Sequence, residues 1–191
     1  MKYLKKILFP VFSIFLAYRS IDLLKNLMKS SPDNFSQTEA VIISFLLTLF
    51  ITGVFAFVGF AYPTSSLVSD RYYKIKNKKN LLFISNVLGL KYFQLFLLFV
   101  FWGRKNNRKK YFNGTKSGLL NFIYQTKQSE FGHLAACLAI IISSFILLFY
   151  EYFFIVFITT LINMIGNVYP IILQRSHRLR LEKLTNGTTI K

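Results

Sequence analysis

The chain has 191 residues, 53% hydrophobic and 18% aromatic, with 22 phenylalanines; that balance excludes a disordered chain and an ordinary water-soluble globule and places it in the membrane class. Its 24 lysines and arginines against 7 acidic residues give a formal charge of +17. The basic residues flank apolar runs instead of forming a polar domain, which is the pattern of cytoplasmic loops and argues against a nucleic-acid binder.

A helix needs about 20 mostly apolar residues to cross a hydrocarbon core. Ile7–Leu27 is the first candidate. It follows a basic opening, as a signal peptide does, but no small-residue cleavage site comes after it, and Arg19, Asp22 and further leucines predict a retained helix. The i,i+3 spacing of Arg19 and Asp22 allows them to neutralise each other. Ala40–Tyr62 is the cleanest candidate. Leu81–Gly103 is apolar too, but basic blocks lie on both sides and Lys91 sits near its middle, which predicts a re-entrant or interfacial helical segment. Leu134–Tyr150 and Tyr152–Leu173, separated at Glu151, predict a C-terminal helical hairpin.

The basic segments Lys2–Lys6, Arg71–Lys79, Arg104–Lys116 and Arg175–Lys183 fall on one side if four helices cross and both termini are cytoplasmic. Arg104–Lys116 is then expected on the inner membrane surface, against anionic lipid. The predicted fold is an all-α integral membrane protein of about four transmembrane helices plus one re-entrant or interfacial segment. It forms a single membrane domain over residues 1–183, with a flexible tail at 184–191, and lies as a multi-pass protein in the cell membrane.

Cys137, the only cysteine, lies in an apolar run; no intrachain disulfide or multi-cysteine metal site is possible, and its expected role is packing. With only His133 and His177 available, the histidine-rich and carboxylate-bridged metal sites of helical proteins lack ligands, so no metal is expected. Gly114 and Gly118 lie in a polar loop without the remaining residues of a phosphate-binding motif.

The last third carries polar residues at helical spacing. At about 100° per residue, Thr126, Glu130, His133, Cys137 and Ser144 make one stripe, and Thr159, Asn163, Asn167, Pro170, Gln174, His177 and Arg178 a second. Amides and ionisable groups facing lipid are costly, so the stripes should face each other. Equal hairpin arms place His133 opposite Pro170, and Glu130 opposite Leu173 and Gln174. At about 1.5 Å per residue these levels lie roughly 30 Å from the turn, at the cytoplasmic interface.

Glu130 and His133, spaced i,i+3, are the candidate catalytic pair: the carboxylate would set the imidazole tautomer while the other ring nitrogen takes a proton from a hydroxyl. Arg175, Arg178 and Arg180 are candidate phosphate or carboxylate ligands. Asn167 or Gln174 would donate to a developing oxyanion. The bland alternative makes these groups helix-to-helix glue and a stop signal on lipid headgroups.

At these residues the chain resembles the glycosyl-4,4'-diaponeurosporenoate acyltransferase family, small bacterial membrane proteins of staphyloxanthin-type carotenoid biosynthesis. The pattern is Thr126-x-x-x-Glu130-x-x-His133, then an apolar stretch, then Asn167-x-x-Pro170-Ile171-Ile172-x-Gln174-Arg175-x-x-Arg178-x-Arg180-Leu181. The likeness is best from Thr126 to Leu181. His177, a further candidate substrate-binding residue, stands where the staphylococcal pattern carries Asn.

The resemblance implies transfer of a fatty acyl group to a sugar hydroxyl of a glycosylated carotenoid or similar glycolipid. The expected partners are a lipid-like glycoside acceptor, an acyl thioester donor and membrane lipid, without nucleic acid. Acyl-CoA or acyl carrier protein would serve as co-substrate, with no bound cofactor. A non-enzymatic membrane assembly or lipid-binding protein is the competing reading, and a transporter a weaker one.

Overall fold

The computed structural model describes residues 2–100 and 116–187. The basic run from Arg104 lies outside the described residues as far as 115. Among those described there are helices and turns and no strand. Four helical stretches are long and apolar enough to cross a membrane: Leu4–Lys29, Gln37–Ala61, Gly118–Phe149 and Phe153–Glu182.

The chain divides into two compact units. The first comprises the residues up to Thr64 together with Gly132–Val168. It opens with α1 (Lys2–Lys29), followed by α2 (Gln37–Ala61). A capping box starts α2: the Ser36 hydroxyl accepts from the Glu39 amide, and the Glu39 carboxylate accepts from the Ser36 amide at 2.8 Å. The two helices approach closely at Gly53, where a Cβ would lie 2.5 Å from Leu16 Cδ1, a use of glycine common between membrane helices.

A long helix, α6 (Lys116–Phe149), enters this unit at Gly132. It ends at a tight turn in which Glu151 takes φ +61°, and α7 (Phe153–Asn163) follows. Leu27, Leu47, Ile51, Ile140, Leu147 and Ile155 form the core. Two buried hydroxyls reinforce it. That of Tyr152 lies between the carbonyls of Leu27 (2.8 Å) and Ser30 (2.9 Å), and that of Ser44 donates to the Ile155 carbonyl at 3.1 Å. The outer helix faces are apolar: Phe15, Phe45, Phe145, Phe149 and Phe157 are all exposed.

The second unit comprises Ser65–Phe131 and the residues from Tyr169 onward. It holds α3 (Asp70–Tyr73), α4 (Lys78–Val87) and α5 (Leu90–Val100) with α8 (Tyr169–Gly187). The segment predicted as re-entrant or interfacial is a bent pair: α4 and α5 meet at 69° through Gly89, whose φ of +59° belongs to the left-handed region that glycine enters without steric cost. Both pack on α8, the Phe93 ring meeting Tyr169 edge-on at 5.2 Å and Lys78 pairing with Glu182 at 3.2 Å.

Three element boundaries differ from expectation. The apolar run expected from Leu134 belongs to a helix that begins at Lys116, because its first half is rich in polar residues and escapes a search for apolar runs. The helix expected over Tyr152–Leu173 is one helical stretch that continues to Glu182, widened by a π-turn at Met164–Val168 where α7 passes into α8. The tail expected from 184 is helical as far as Gly187.

Candidate functional site

In the first unit, α6 supplies His133 and Cys137 one turn apart, and Asn163 and Asn167 approach from the end of α7 and the π-turn. Both asparagines are buried, Asn167 completely, so their amides must be satisfied internally.

The polarity of the resulting chain follows from its fixed end. The Cys137 carbonyl can only accept, and Asn163 Nδ2 donates to it at 3.4 Å. Asn163 therefore turns Oδ1 toward Asn167, whose Nδ2 donates at 3.0 Å. That same Nδ2 reaches Thr52 Oγ1 on α2 at 3.1 Å. Asn167 Oδ1 is left facing His133 Nδ1 at 3.0 Å, and an amide oxygen only accepts, so Nδ1 carries the proton. In the neutral ring Nε2 then holds the lone pair, and the ring also lies within hydrogen-bonding reach of the Gly166 backbone. The π-turn that carries Asn167 is the kind of one-residue expansion that recurs at functional positions in helices.

In the second unit, Glu130 on α6 is completely buried. Arg175 Nε donates to its Oε1 at 2.8 Å, and Arg178 Nη2 donates to its Oε2. Arg178 is itself 4% exposed, and among the described residues its Nε and Nη1 have no hydrogen-bond partner. Two adjacent tyrosines of α3 cover these guanidiniums, Tyr72 at 5.0 Å from Arg175 and Tyr73 at 5.5 Å from Arg178, in cation–π geometry.

The tyrosines are held in turn. Tyr73 donates to the Ser65 carbonyl at 3.1 Å, and the Ser65 amide donates to Gln128 Oε1 at 3.0 Å. Lys127 pairs with Asp70 at 2.6 Å and lies 5.4 Å from the Tyr73 ring. Burial, and then the Glu130 charge, push the Tyr73 phenol up to about 12 and raise that of Tyr72. The hydrogen bond and charge of Lys127 hold the Asp70 carboxyl below its ordinary value.

The sequence-predicted residues thus divide. His133 and Asn167 come together in the first unit. Glu130, Arg175 and Arg178 come together in the second. Glu130, expected to orient His133, spends both oxygens on the arginines, and the partner on His133 Nδ1 is Asn167. Asn167 in turn, expected as an oxyanion donor, bonds through Nδ2 to Asn163 and Thr52. Gln174 donates to Ser129 Oγ at 3.2 Å, the His177 ring packs on Phe122 at 5.8 Å, and Arg180 is exposed on α8. Sequence reasoning missed Thr52, Tyr72 and Tyr73. The one signal for the tyrosines was an aromatic pair placed inside a basic loop. Among the described residues no group of three His, Cys, Asp or Glu side chains converges.

The fold and these two clusters define an all-helical protein with membrane-length apolar helices, a histidine fixed by an amide chain and a buried carboxylate shared by two arginines. The family profile of glycosyl-4,4'-diaponeurosporenoate acyltransferases matches residues 69–186, and the chain belongs to that family. The matched segment contains every one of the predicted site residues. No curated protein and no solved structure matches the chain.

Proposed function

We propose that this protein is a membrane acyltransferase that moves a fatty acyl group from an activated thioester to a sugar hydroxyl of a glycosylated carotenoid or a similar glycolipid. Family membership supports acyl transfer. The outward phenylalanines on helices of membrane length support insertion in the bilayer. The clustering of basic segments supports the multi-pass arrangement with both termini cytoplasmic.

The observation that carries the chemistry is the Asn167 Oδ1 contact with His133 Nδ1. A thioester is already activated, so the enzyme's main task is to deprotonate and align the hydroxyl. His133 Nε2 takes the hydroxyl proton as the oxygen attacks the thioester carbon. The tetrahedral adduct collapses, the carbon–sulfur bond breaks, and the proton passes from Nε2 to the leaving sulfur, giving an ester and a free thiol. While the ring is protonated, Asn167 Oδ1 continues to accept from Nδ1. Neither a covalent enzyme intermediate nor a bound metal enters this sequence.

Arg175 and Arg180, which retain solvent access, are assigned to substrate anions, with Gln174 and His177 beside them on α8. Arg178 and Glu130, both buried, act as positioning residues.

The test compares lipid and pigment extracts, by mass spectrometry, from cells carrying the wild-type protein or His133→Ala. The expected result is loss of an acylated product at unchanged protein abundance. Equal product from both would reject the assignment. A fall in abundance or altered complexes, with no acylated product in either strain, is the outcome of the assembly-factor reading.

A further inference from the structure

A pocket of about 620 Å³ lies within the second unit, bordered by the residues just before α3, the α3–α4 connection, the start of α4, and Arg175 of α8. Its volume falls in the range of small-molecule and cofactor sites. Arg71, Lys74, Lys76 and Arg175 line it, with Asn77 and Asn80, and no carboxylate does.

The acidic groups of the second unit, Asp70, Glu130 and Glu182, are already engaged, Glu182 with Lys78. Asp70 is paired with Lys127, and Glu130 with Arg175 and Arg178. Among the described residues Arg71, Lys74 and Lys76 form no salt bridge. Glu130 also fixes Arg175 at the pocket wall by holding its Nε. Ile75, Leu81 and Ile84 give the pocket an apolar side, and Ser69 and Tyr72 complete the lining. A concave site with four cations, two amides and an apolar side suits an amphipathic anion larger than a single phosphate.

We propose that this pocket binds a phosphate-bearing ligand of nucleotide size, the phosphorylated end of the acyl donor. The phosphodiester of an anionic lipid headgroup shares that chemistry and is the second source. The choice of donor rests on the acyl-transfer reading; the phosphate chemistry does not. It also reassigns part of the Arg71–Lys79 block, expected to serve only as a topology signal, to ligand binding.

The experiment measures equilibrium binding of coenzyme A to the full chain in nanodiscs of phosphatidylcholine, with pyrophosphate and phosphatidylglycerol-containing discs as competitors. Arg71→Ala and Lys74→Ala each remove one charge-assisted contact, so affinity should fall about tenfold for each and roughly a hundredfold for the pair. Lys79→Ala, on α4 but outside the lining, should leave affinity unchanged, and Arg71→Lys should retain more than half of the lost binding energy.

Competition by pyrophosphate supports the phosphate assignment. If phosphatidylglycerol displaces coenzyme A from the wild type, and Arg71→Ala weakens that displacement, the pocket takes lipid phosphate as well and the assignment again stands. Absence of coenzyme A and phosphatidylglycerol binding, or equal affinity in wild type and double variant, overturns it. The readout needs no turnover: loss of binding with acyl transfer intact would sink the pocket alone, and binding without any transfer would sink the proposed function alone.

Discussion

Removing the Glu130 carboxylate should be among the most destabilising single changes in the second unit. In Glu130→Ala, Arg178 stays buried at 4% exposure, loses the acceptor on Nη2, and already lacks hydrogen-bond partners on Nε and Nη1 among the described residues. Leaving such a charge unpaired costs about 3–5 kcal/mol. The Arg175 side chain is 36% exposed, so the loss of its bond adds only about 0–1 kcal/mol after solvent screening. For a chain of this size each kcal/mol is about 2–4 °C in Tm, so the drop should be roughly 6–24 °C. Thermal unfolding of the detergent-solubilised protein, followed by intrinsic fluorescence, measures it. The double variant Glu130→Leu, Arg178→Leu removes both charges and should recover most of the loss. A drop below about 2 °C for Glu130→Ala, or a double variant no better than the single, would refute the reasoning.

Other outcomes are equally specific. Asn167→Ala frees the His133 tautomer and should lower kcat about 10–100-fold with little change in KM, whereas Asn167→Asp keeps an acceptor for Nδ1 and should retain more activity; steady-state kinetics separate the two. Tyr73, with its phenol pushed up to about 12, stays protonated in the folded chain where the unfolded chain has ionised. Its contribution to stability is therefore complete below about pH 10 and lost as pH rises toward 12; unfolding midpoints across that window should fall less steeply in Tyr73→Phe. Glu151→Gly relieves the positive φ in the turn between α6 and α7 and should stabilise the first unit by about 1 kcal/mol, seen as a higher Tm.

The apolar helices were legible because about 20 consecutive apolar residues have few uses outside a membrane, and the hairpin turn because Glu151 interrupts an otherwise unbroken apolar run. The cluster partners were not. Counting equal arms at a constant helical repeat placed His133 opposite Pro170, but the π-turn at Met164–Val168 breaks that repeat, and the observed partner is Asn167, three residues earlier. Glu130 and His133 share a helix face by spacing, yet spacing does not say which neighbour competes for a carboxylate; two guanidiniums outbid one imidazole. Tyr72 and Tyr73 sit far from Arg175 and Arg178 in the chain, and only tertiary folding brings them over those side chains. The pocket at Arg71–Lys76 was hidden for a similar reason: a topology signal and a concave anion site have the same composition.

The central claim is that His133, fixed through Asn167, serves as the general base in acyl transfer. Its most direct test is the rate at which purified wild type and His133→Ala, in the same nanodiscs, transfer a labelled acyl group from a thioester to a glycosylated carotenoid. The account predicts a fall of about 10²–10⁴-fold in kcat for the variant, with unfolding temperature unchanged within a few degrees. Equal rates for the two proteins would contradict it.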